Sequence, residues 1–153
     1  MADSDAEQFA ALYSARFKQQ DIIPCAFFPG VLETLRDLRQ GAYFLAVATG
    51  KSRAGLDRVL AATGLFEFFD GSRCADETLS KPHPLMLEEL LSQFEVKPSE
   101  AIMVGDTEFD LEMARNANIP AIAVSYGAHD LDRLLKYMPI ASLDSFQDIK
   151  KYI

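Results

Sequence analysis

The sequence predicts an α/β fold built on a doubly wound, parallel β-sheet. Two observations support this prediction: short apolar runs typical of buried strands alternate with amphipathic segments typical of helices, and polar residues collect where the apolar runs end. The length of 153 residues suits one domain with a substantial core. Hydrophobic residues make up 49% and charged residues 25% of the chain, which is ordinary for a globular protein.

Two amphipathic helices are predicted in the first part of the chain. Residues 4–20 place four large apolar side chains near one helical face, and no proline or glycine interrupts them. A loop over 22–30 follows, because it contains two prolines and a glycine. The second helix, over 31–40, carries a stripe of valine and leucine and ends at Gly41.

A buried strand is predicted next, over residues 42–50, because this segment is almost continuously apolar. A helix over 53–64 follows, with Ser52 as its N-terminal cap and Gly64 as its end. A short strand is expected within 66–75.

The second half of the chain continues this alternation. Pro82 is expected to begin a helix, because proline suits the first helical turn. The predicted elements are, in order, that helix over 82–94, a strand over 100–106, a helix over 107–118, a strand over 120–127, a helix near 129–138, a short apolar piece over 139–143 and a final helix over 145–153. Strands that are apolar throughout indicate a sheet that helices cover on both faces.

Charge and composition exclude several classes of partner. The net charge is −8 and no run of lysine or arginine is present, so we expect no nucleic-acid binding. No apolar stretch approaches the ~20 residues that span a bilayer, and the acidic N-terminus is unlike a secretory signal, so we expect no membrane association. Cys25 and Cys74 lack the spacing of a metal site and are interpreted as reduced thiols, which predicts a cytoplasmic protein.

The stretch IMVGDTEFD, residues 102–110, places three carboxylates directly after a buried strand. Such carboxylates repel one another unless a positive group lies among them. Gly105 would let a ligand approach the backbone, and the following helix would offer its N-terminal N–H groups. The stretch therefore predicts a bound cation or phosphate.

A second polar stretch, ATGKS over residues 48–52, has some similarity to a nucleotide-binding P-loop. That motif requires a glycine five positions before Gly50, and the residue at that position is Leu45. Without this glycine the backbone cannot wrap a triphosphate, so a P-loop is excluded.

Four polar residues follow one another at strand ends and loops in a recognisable order: Thr49, Lys81, Asp106 and Asp110. This order resembles the haloacid dehalogenase superfamily of phosphohydrolases, in which LAVATGKS, SKPHP and IMVGDTEFD correspond to the second, third and fourth motifs. The resemblance extends from FFPGVLETLRDL onward and is strongest to the phosphoglycolate-phosphatase-like branch. It implies a Rossmann-like core and Mg²⁺-dependent hydrolysis of small phosphorylated metabolites such as phosphoglycolate.

The resemblance implies a role for each of these residues. Thr49 would hydrogen-bond the transferred phosphoryl group together with the backbone N–H of Gly50, and Lys81 would neutralise its charge. Asp106 would bind Mg²⁺, directly or through water, and Asp110 would support the metal or orient Lys81. Carboxylates, waters and phosphate oxygens are the ligands that Mg²⁺ prefers.

Each residue also has a simpler structural interpretation. Asp110 lies three positions after Thr107, so the two could form a capping box at the start of the helix. Asp106 could merely favour the helix dipole, and Lys81 could be a solvated loop lysine. Thr49 could be an ordinary strand-end residue. No chemistry is assigned to Glu108, His83 or His129.

The family's first motif, D-x-D-G-T, is absent from this sequence. Its first aspartate is the nucleophile that forms an aspartyl-phosphate, and its second aspartate is the general acid and base. Asp3 and Asp5 do not replace it, because only two residues precede them, too few for a strand. By resemblance, residues 1–20 are similar to the last helix of the family's cap, and residues 21–153 form the core without its first strand and most of the cap.

The chain is therefore expected to be inactive on its own and to bind Mg²⁺ only weakly. A truncated reading frame, a fragment or a natural short form would each produce such a sequence. Absence of the central strand would leave a slot of about 10 Å between the strands that end at Thr49 and Asp106. These two strands could pair, another segment could fill the slot, or a second chain could do so, and we expect a homodimer.

Two alternatives belong to other functional classes. The chain could be a non-catalytic binding or structural domain that keeps the fold and a weak phosphate site. A response-regulator receiver also gathers acidic residues, threonine and lysine at strand ends, but its acidic pair comes first and its lysine last. Thr49 and Lys81 precede Asp106 in this sequence, which argues against a receiver.

Overall fold

The computed structural model describes residues 27–153, so the predicted helix over 4–20 and the unit over 1–20 lie outside the described residues. The α-helices and β-strands of the described part are, in order, α1 Val31–Gln40, β1 Ala46–Thr49, α2 Arg53–Thr63, β2 Gly71–Cys74, α3 Leu85–Phe94, β3 Met103–Gly105, α4 Glu108–Asn116, β4 Ala121–Val124, α5 Leu131–Leu135 and β5 Ala141–Leu143. Short 3₁₀ helices lie at Phe66–Phe68, Pro98–Glu100 and Phe146–Lys151. The alternation of strands and helices confirms the predicted α/β class.

The strands form two parallel sheets, one of β1 and β2 and one ordered β3-β4-β5. In the first sheet, Thr49 lies opposite Cys74. In the second, Gly105 lies opposite Ala123, and Val124 lies opposite Leu143. All observed pairings are parallel, as the sequence predicts.

Strands β1 and β3 lie in different sheets and do not pair with each other within residues 27–153. Among residues 27–153, β1 pairs only with β2, and β3 pairs only with β4. Direct pairing of the strands that end at Thr49 and Asp106, one of the three outcomes expected for a missing central strand, is therefore wrong. Both strands are nevertheless buried, with Ala48 and Val104 each 0% exposed.

The first two helices of the described part, α1 and α2, begin and end where the sequence predicts. In α1, the buried residues Val31, Leu35 and Leu38 face the core, and Gly41 follows the last helical residue. In α2, the Ser52 hydroxyl caps the helix by accepting a hydrogen bond from the Gly55 N–H at 3.1 Å. These boundaries depend on local sequence alone, which explains why they are predictable.

Later elements depart from the predicted boundaries. The helix expected from Pro82 begins at Leu85, because the His83 ring Nδ1 accepts the Leu85 N–H at 3.1 Å and holds a turn before the helix. The helix expected near 129–138 is limited to α5, and the final helix is a 3₁₀ helix. The apolar piece over 139–143 contains strand β5, which pairs with β4.

The core joins strands from both sheets with the apolar faces of α1 to α4 in one buried cluster. Cys74 lies in it as a free, buried thiol, and burial raises the pKa of this thiol to about 11. Cys25 lies outside the described residues. Among residues 27–153, no helix combines the length and the apolar character needed to cross a membrane.

Candidate functional site

The loop between β3 and α4 forms the centre of the candidate site. Thr107 is the N-cap of α4, and its hydroxyl accepts the Asp110 N–H at 3.2 Å. In return, Asp110 Oδ2 accepts the Thr107 N–H at 3.1 Å. The capping box suggested by the sequence is therefore present, and it fixes Asp110 directly beneath the end of β3.

Gly105 is required at the end of β3 for a reason other than the predicted one. A Cβ atom at this position would lie 2.4 Å from the Asp110 Cβ. The Asp110 side chain thus makes a close approach to the backbone here, and the expectation that Gly105 also lets a ligand approach stays a prediction.

Three backbone N–H groups at the end of β3 and the start of α4 are engaged within the chain. Asp110 Oδ2 accepts the N–H of Asp106 at 3.3 Å as well as that of Thr107. The Glu108 N–H donates to the His129 ring Nδ1 at 3.0 Å. Of these donors only the Glu108 N–H belongs to α4, so the expectation that the first turn of this helix serves a bound phosphate stays a prediction.

Lys81 supplies the positive charge that the clustered carboxylates require. Its Nζ lies 2.5 Å from Asp110 Oδ1, and the side chains are 11% and 1% exposed. The Asn116 side-chain amide of α4 donates to the Pro82 carbonyl at 3.0 Å, which ties the Lys81 turn to the same helix. Residues 29 positions apart in sequence therefore meet in a buried ion pair.

The Asp106 carboxylate is fully buried, and its two oxygens have different surroundings. Oδ2 accepts the Ala128 N–H at 2.8 Å. Oδ1 is buried and has no hydrogen-bond partner within the described part of the chain. Burial, and secondly the charge of Asp110, raise the pKa of Asp106 to about 7, although the Ala128 N–H and the Lys81 charge oppose this shift.

A second buried polar atom without a partner among residues 27–153 is the Tyr126 hydroxyl. Burial and the charge of Asp106 raise the pKa of this hydroxyl above its ordinary value, so it stays protonated. The Tyr126 ring packs against Phe28, with ring centroids 4.8 Å apart. The Tyr126 hydroxyl, a proton donor, and Asp106 Oδ1, a carboxylate oxygen without a partner among residues 27–153, thus both lie just beyond the ends of β4 and β3.

The donor set fits a divalent cation only in part. Asp106 Oδ1 is a free, buried carboxylate oxygen, which is the kind of ligand that Mg²⁺ prefers. Both oxygens of Asp110 already have partners, namely Lys81 and the backbone of the β3–α4 loop. The described residues contain no group of three or more His, Cys, Asp or Glu side chains that could hold a metal. A cation here would need waters and a phosphate to complete its coordination.

Thr49 and Gly50 lie at the end of β1, in the other sheet. Thr49 is 1% exposed, and its hydroxyl accepts the Lys51 N–H at 3.1 Å. Gly50 is exposed, and a Cβ atom there would have open space within 4 Å. Hydrogen bonds join Lys81, Asp110 and Asp106 into one network, whereas Thr49 ends β1 and Gly50 begins the loop that follows it.

Sequence reasoning assigned no chemistry to His129 in the loop after β4. The ring of this residue accepts the Glu108 N–H, and its backbone N–H donates to the Asp106 carbonyl. Gly127 in the same loop packs against Asp106, since a Cβ atom there would lie 2.1 Å from the Asp106 Cβ. A histidine two positions after a glycine that follows an apolar strand is the signal that could have drawn attention to His129.

The comparisons with known proteins agree on one family. A family model described as "Haloacid dehalogenase-like hydrolase" matches residues 1–124. The curated "Probable phosphatase IndB" of Dickeya dadantii (strain 3937) is 39% identical over 140 residues, which cover 90% of this chain and 61% of that protein. The "Pyrophosphatase PpaX" of Bacillus cereus (strain B4264) is 35% identical over 120 residues, which cover 78% of this chain and 56% of that protein.

Solved structures give the same result for the fold. A crystal structure described as a predicted phosphoglycolate phosphatase from Haemophilus somnus 129PT superposes with a TM-score of 0.80 at 27% identity, over 89% of this chain and 61% of that one. A haloacid dehalogenase-like family hydrolase from Streptococcus pneumoniae superposes with a TM-score of 0.74 at 26% identity, over 82% and 59%. The chain thus spans less than two thirds of the length of each of these relatives.

Proposed function

Because the chain belongs to the haloacid dehalogenase-like hydrolases, we propose that residues 27–153 supply the phosphate- and Mg²⁺-binding part of a phosphohydrolase that acts on small phosphate monoesters such as phosphoglycolate. The observation that carries the proposal is Asp106 Oδ1, a buried carboxylate oxygen without a hydrogen-bond partner in the described part. Leaving a buried charged acceptor unpaired is costly, so this atom supports the proposal of an ion or a water bound beside it. A cation beside it would remove that cost.

Each nearby residue has a part in this proposal. Asp106 holds Mg²⁺ through Oδ1, while Lys81 offsets negative charge on the phosphate. Asp110 orients Lys81, since its own oxygens are engaged by Lys81 and by the loop, and it supports the metal only indirectly. Thr49 at the end of β1 and the N–H of Gly50 directly after it bind the phosphoryl oxygens. When bound, Mg²⁺ supplies charge stabilisation to the phosphoryl group.

The covalent step of the family's reaction requires a nucleophile that this chain lacks. No D-x-D-G-T motif occurs in the 153 residues, so no aspartyl-phosphate can form at the usual position. Positioning and electrostatics alone do not replace the nucleophile in this mechanism. The isolated chain is therefore proposed to bind phosphate and Mg²⁺ without hydrolysing esters.

The absence of the D-x-D-G-T motif from these 153 residues also leads to a second candidate function. The chain could act as a non-catalytic binding domain that retains the fold and a weak phosphate site. The two candidates share the site and differ in whether a nucleophile is ever supplied to it. An in-frame D-x-D-G-T in the genomic DNA upstream of Met1 would favour the hydrolase, and its absence would favour the binding domain.

A hydrolysis assay tests the proposal directly. The isolated chain should show negligible Mg²⁺-dependent release of phosphate from phosphoglycolate and from p-nitrophenyl phosphate. Mg²⁺ and inorganic phosphate together should still raise its melting temperature, and this increase should be lost in Asp106→Asn. Robust turnover that disappears in Asp106→Ala would refute the proposal, because it would reveal another nucleophile.

A further inference from the structure

The loop after β4, residues 127–129, lies directly against the residues around Asp106. Gly127 is pressed against the Asp106 side chain so closely that its missing Cβ would fall 2.6 Å from Asp106 Oδ2. Two backbone N–H groups of the loop then donate to Asp106: that of Ala128 to Oδ2 at 2.8 Å and that of His129 to the carbonyl at 3.1 Å. The loop therefore holds both the side chain and the backbone of Asp106.

The His129 ring adds a third hydrogen bond in the opposite direction. Its Nδ1 accepts the N–H of Glu108, the first residue of α4, at 3.0 Å. The backbone and the ring of one residue thus hold the chain on both sides of Thr107. An ion pair between Arg133 and Glu108, 2.6 Å apart, links α5 to the same helical turn.

We propose that His129 is a positioning residue for Asp106, which it holds in the orientation that engages Oδ2 with Ala128 and leaves Oδ1 open to a cation. This inference rests on the proposed function, because it gives Oδ1 the metal. The ring ties the start of α4 to the loop after β4, and this tie keeps the Ala128 N–H beside Asp106 Oδ2. Partners of this kind, one step removed from a metal ligand, commonly tune metal affinity.

The geometry also fixes the protonation pattern of the ring. An Nδ1 atom that accepts a hydrogen bond carries no proton, so the neutral ring carries its proton on Nε2. Phe109 packs against the His129 ring, with centroids 6.0 Å apart in an edge arrangement. The ring is therefore oriented from one side by Phe109 and from the other by Glu108.

Two substitutions of His129 test the hydrogen-bond acceptor Nδ1 and the aromatic ring independently. His129→Asn keeps an acceptor close to the position of Nδ1 but removes the ring. His129→Phe keeps a ring that can pack against Phe109 but removes the acceptor. If the hydrogen bond positions Asp106, only the second variant should lose cation affinity.

The experiment measures Mn²⁺ binding by electron paramagnetic resonance, with inorganic phosphate present, in the 153-residue chain. His129→Phe should weaken Mn²⁺ binding by about three- to tenfold, the effect of one hydrogen bond. The Mn²⁺ affinity of His129→Asn should lie within about twofold of that of the unaltered chain, on the same scale. In the metal-free protein, ¹⁵N shifts of the His129 ring should show an unprotonated Nδ1 and a protonated Nε2.

Some results would contradict the positioning role of His129, and another would contradict the metal site on which that role depends. If His129→Phe binds Mn²⁺ like the unaltered chain, or if Nδ1 is protonated, His129 does not position Asp106. Equal losses of affinity in both variants, in step with their melting temperatures, would assign His129 a purely structural role and also refute the inference. If the unaltered chain binds no Mn²⁺, the metal site of the proposed function fails first and the inference fails with it, whatever the ring shifts show.

Discussion

Lys81 Nζ lies 2.5 Å from Asp110 Oδ1, and this ion pair is the most deeply buried one in the described part of the chain. Asp110 accepts hydrogen bonds from the backbone at the end of β3 through its other oxygen. The pair therefore connects the turn before α3 to the start of α4. Removing one partner of a buried pair leaves an uncompensated charge, which is far more costly than removing an exposed one.

Lys81→Met should reduce the free energy of unfolding by about 2–4 kcal/mol, because Asp110 then keeps a buried charge without its partner. The double variant Lys81→Met, Asp110→Asn should recover part of this loss. Urea denaturation of the metal-free protein measures both values. Lys150→Met is the matched control: Lys150 pairs with Asp37 on the surface, with side chains 49% and 53% exposed, and its loss should change stability little. Equal effects of the two lysine variants would show that the buried pair has no special role.

The metal-free protein should lose stability as pH rises from about 4 to about 7, relative to Asp106→Asn. The pKa of Asp106 is raised to about 7 by burial and by Asp110, whereas an aspartate in the unfolded chain has a pKa of about 4. The folded protein therefore binds this proton more tightly, and the resulting stability is complete below pH ~4 and is lost as pH rises through the folded pKa. Thermal unfolding of the two proteins in chelator across this range measures the difference. If the difference in stability between the two proteins is the same at every pH in this range, the pKa of Asp106 is not raised by folding.

Gly127→Ala should destabilise the protein by about 1–3 kcal/mol, the usual cost of overpacking. The new Cβ would lie 2.1 Å from the Asp106 Cβ, so the loop and the carboxylate must separate. Gly50→Ala is the matched control for stability, because a Cβ there meets nothing within 4 Å. Chemical denaturation compares the two, and similar stability of both variants would contradict the contact between Gly127 and Asp106.

Much of the region around Asp106 could be predicted from sequence because it depends on local patterns. The apolar residues before Gly105 form the predicted strand, and Thr107 and Asp110 form the predicted capping box. The requirement for a positive charge among the carboxylates follows from electrostatics, and Lys81 meets it. Such features need only residues within a few positions of one another or a general rule about charge.

Other features could not be predicted because they depend on contacts between distant segments. The delayed start of α3 is a separate, local case: the His83 ring accepts the Leu85 N–H two positions away, and no propensity scale includes such a contact. The hydrogen bonds from Ala128 and His129 to Asp106 join residues more than 20 positions apart. The partners of the α4 N–H groups were missed for the same reason, since His129 becomes adjacent to them only in the folded chain.

We expect the chain to form a homodimer by exchange of the N-terminal segment between two chains. Within residues 27–153, β3 pairs only with β4, and each buried backbone group left unpaired costs ~1–3 kcal/mol. Such swapping is a low-cost route to dimers. Light scattering across a wide concentration range measures the mass. A compact monomer that melts cooperatively at every concentration would contradict this expectation.

Calorimetric titration of Mg²⁺, with and without inorganic phosphate, tests most directly whether Asp106 is the main side-chain ligand of a phosphate-assisted cation site. One free carboxylate oxygen should bind Mg²⁺ only weakly, and phosphate should strengthen binding by completing the coordination. We predict binding that is barely detectable without phosphate, clearly tighter with it, and absent in Asp106→Asn under both conditions. Micromolar affinity for Mg²⁺ without any anion, or unchanged binding in Asp106→Asn, would contradict the proposed site.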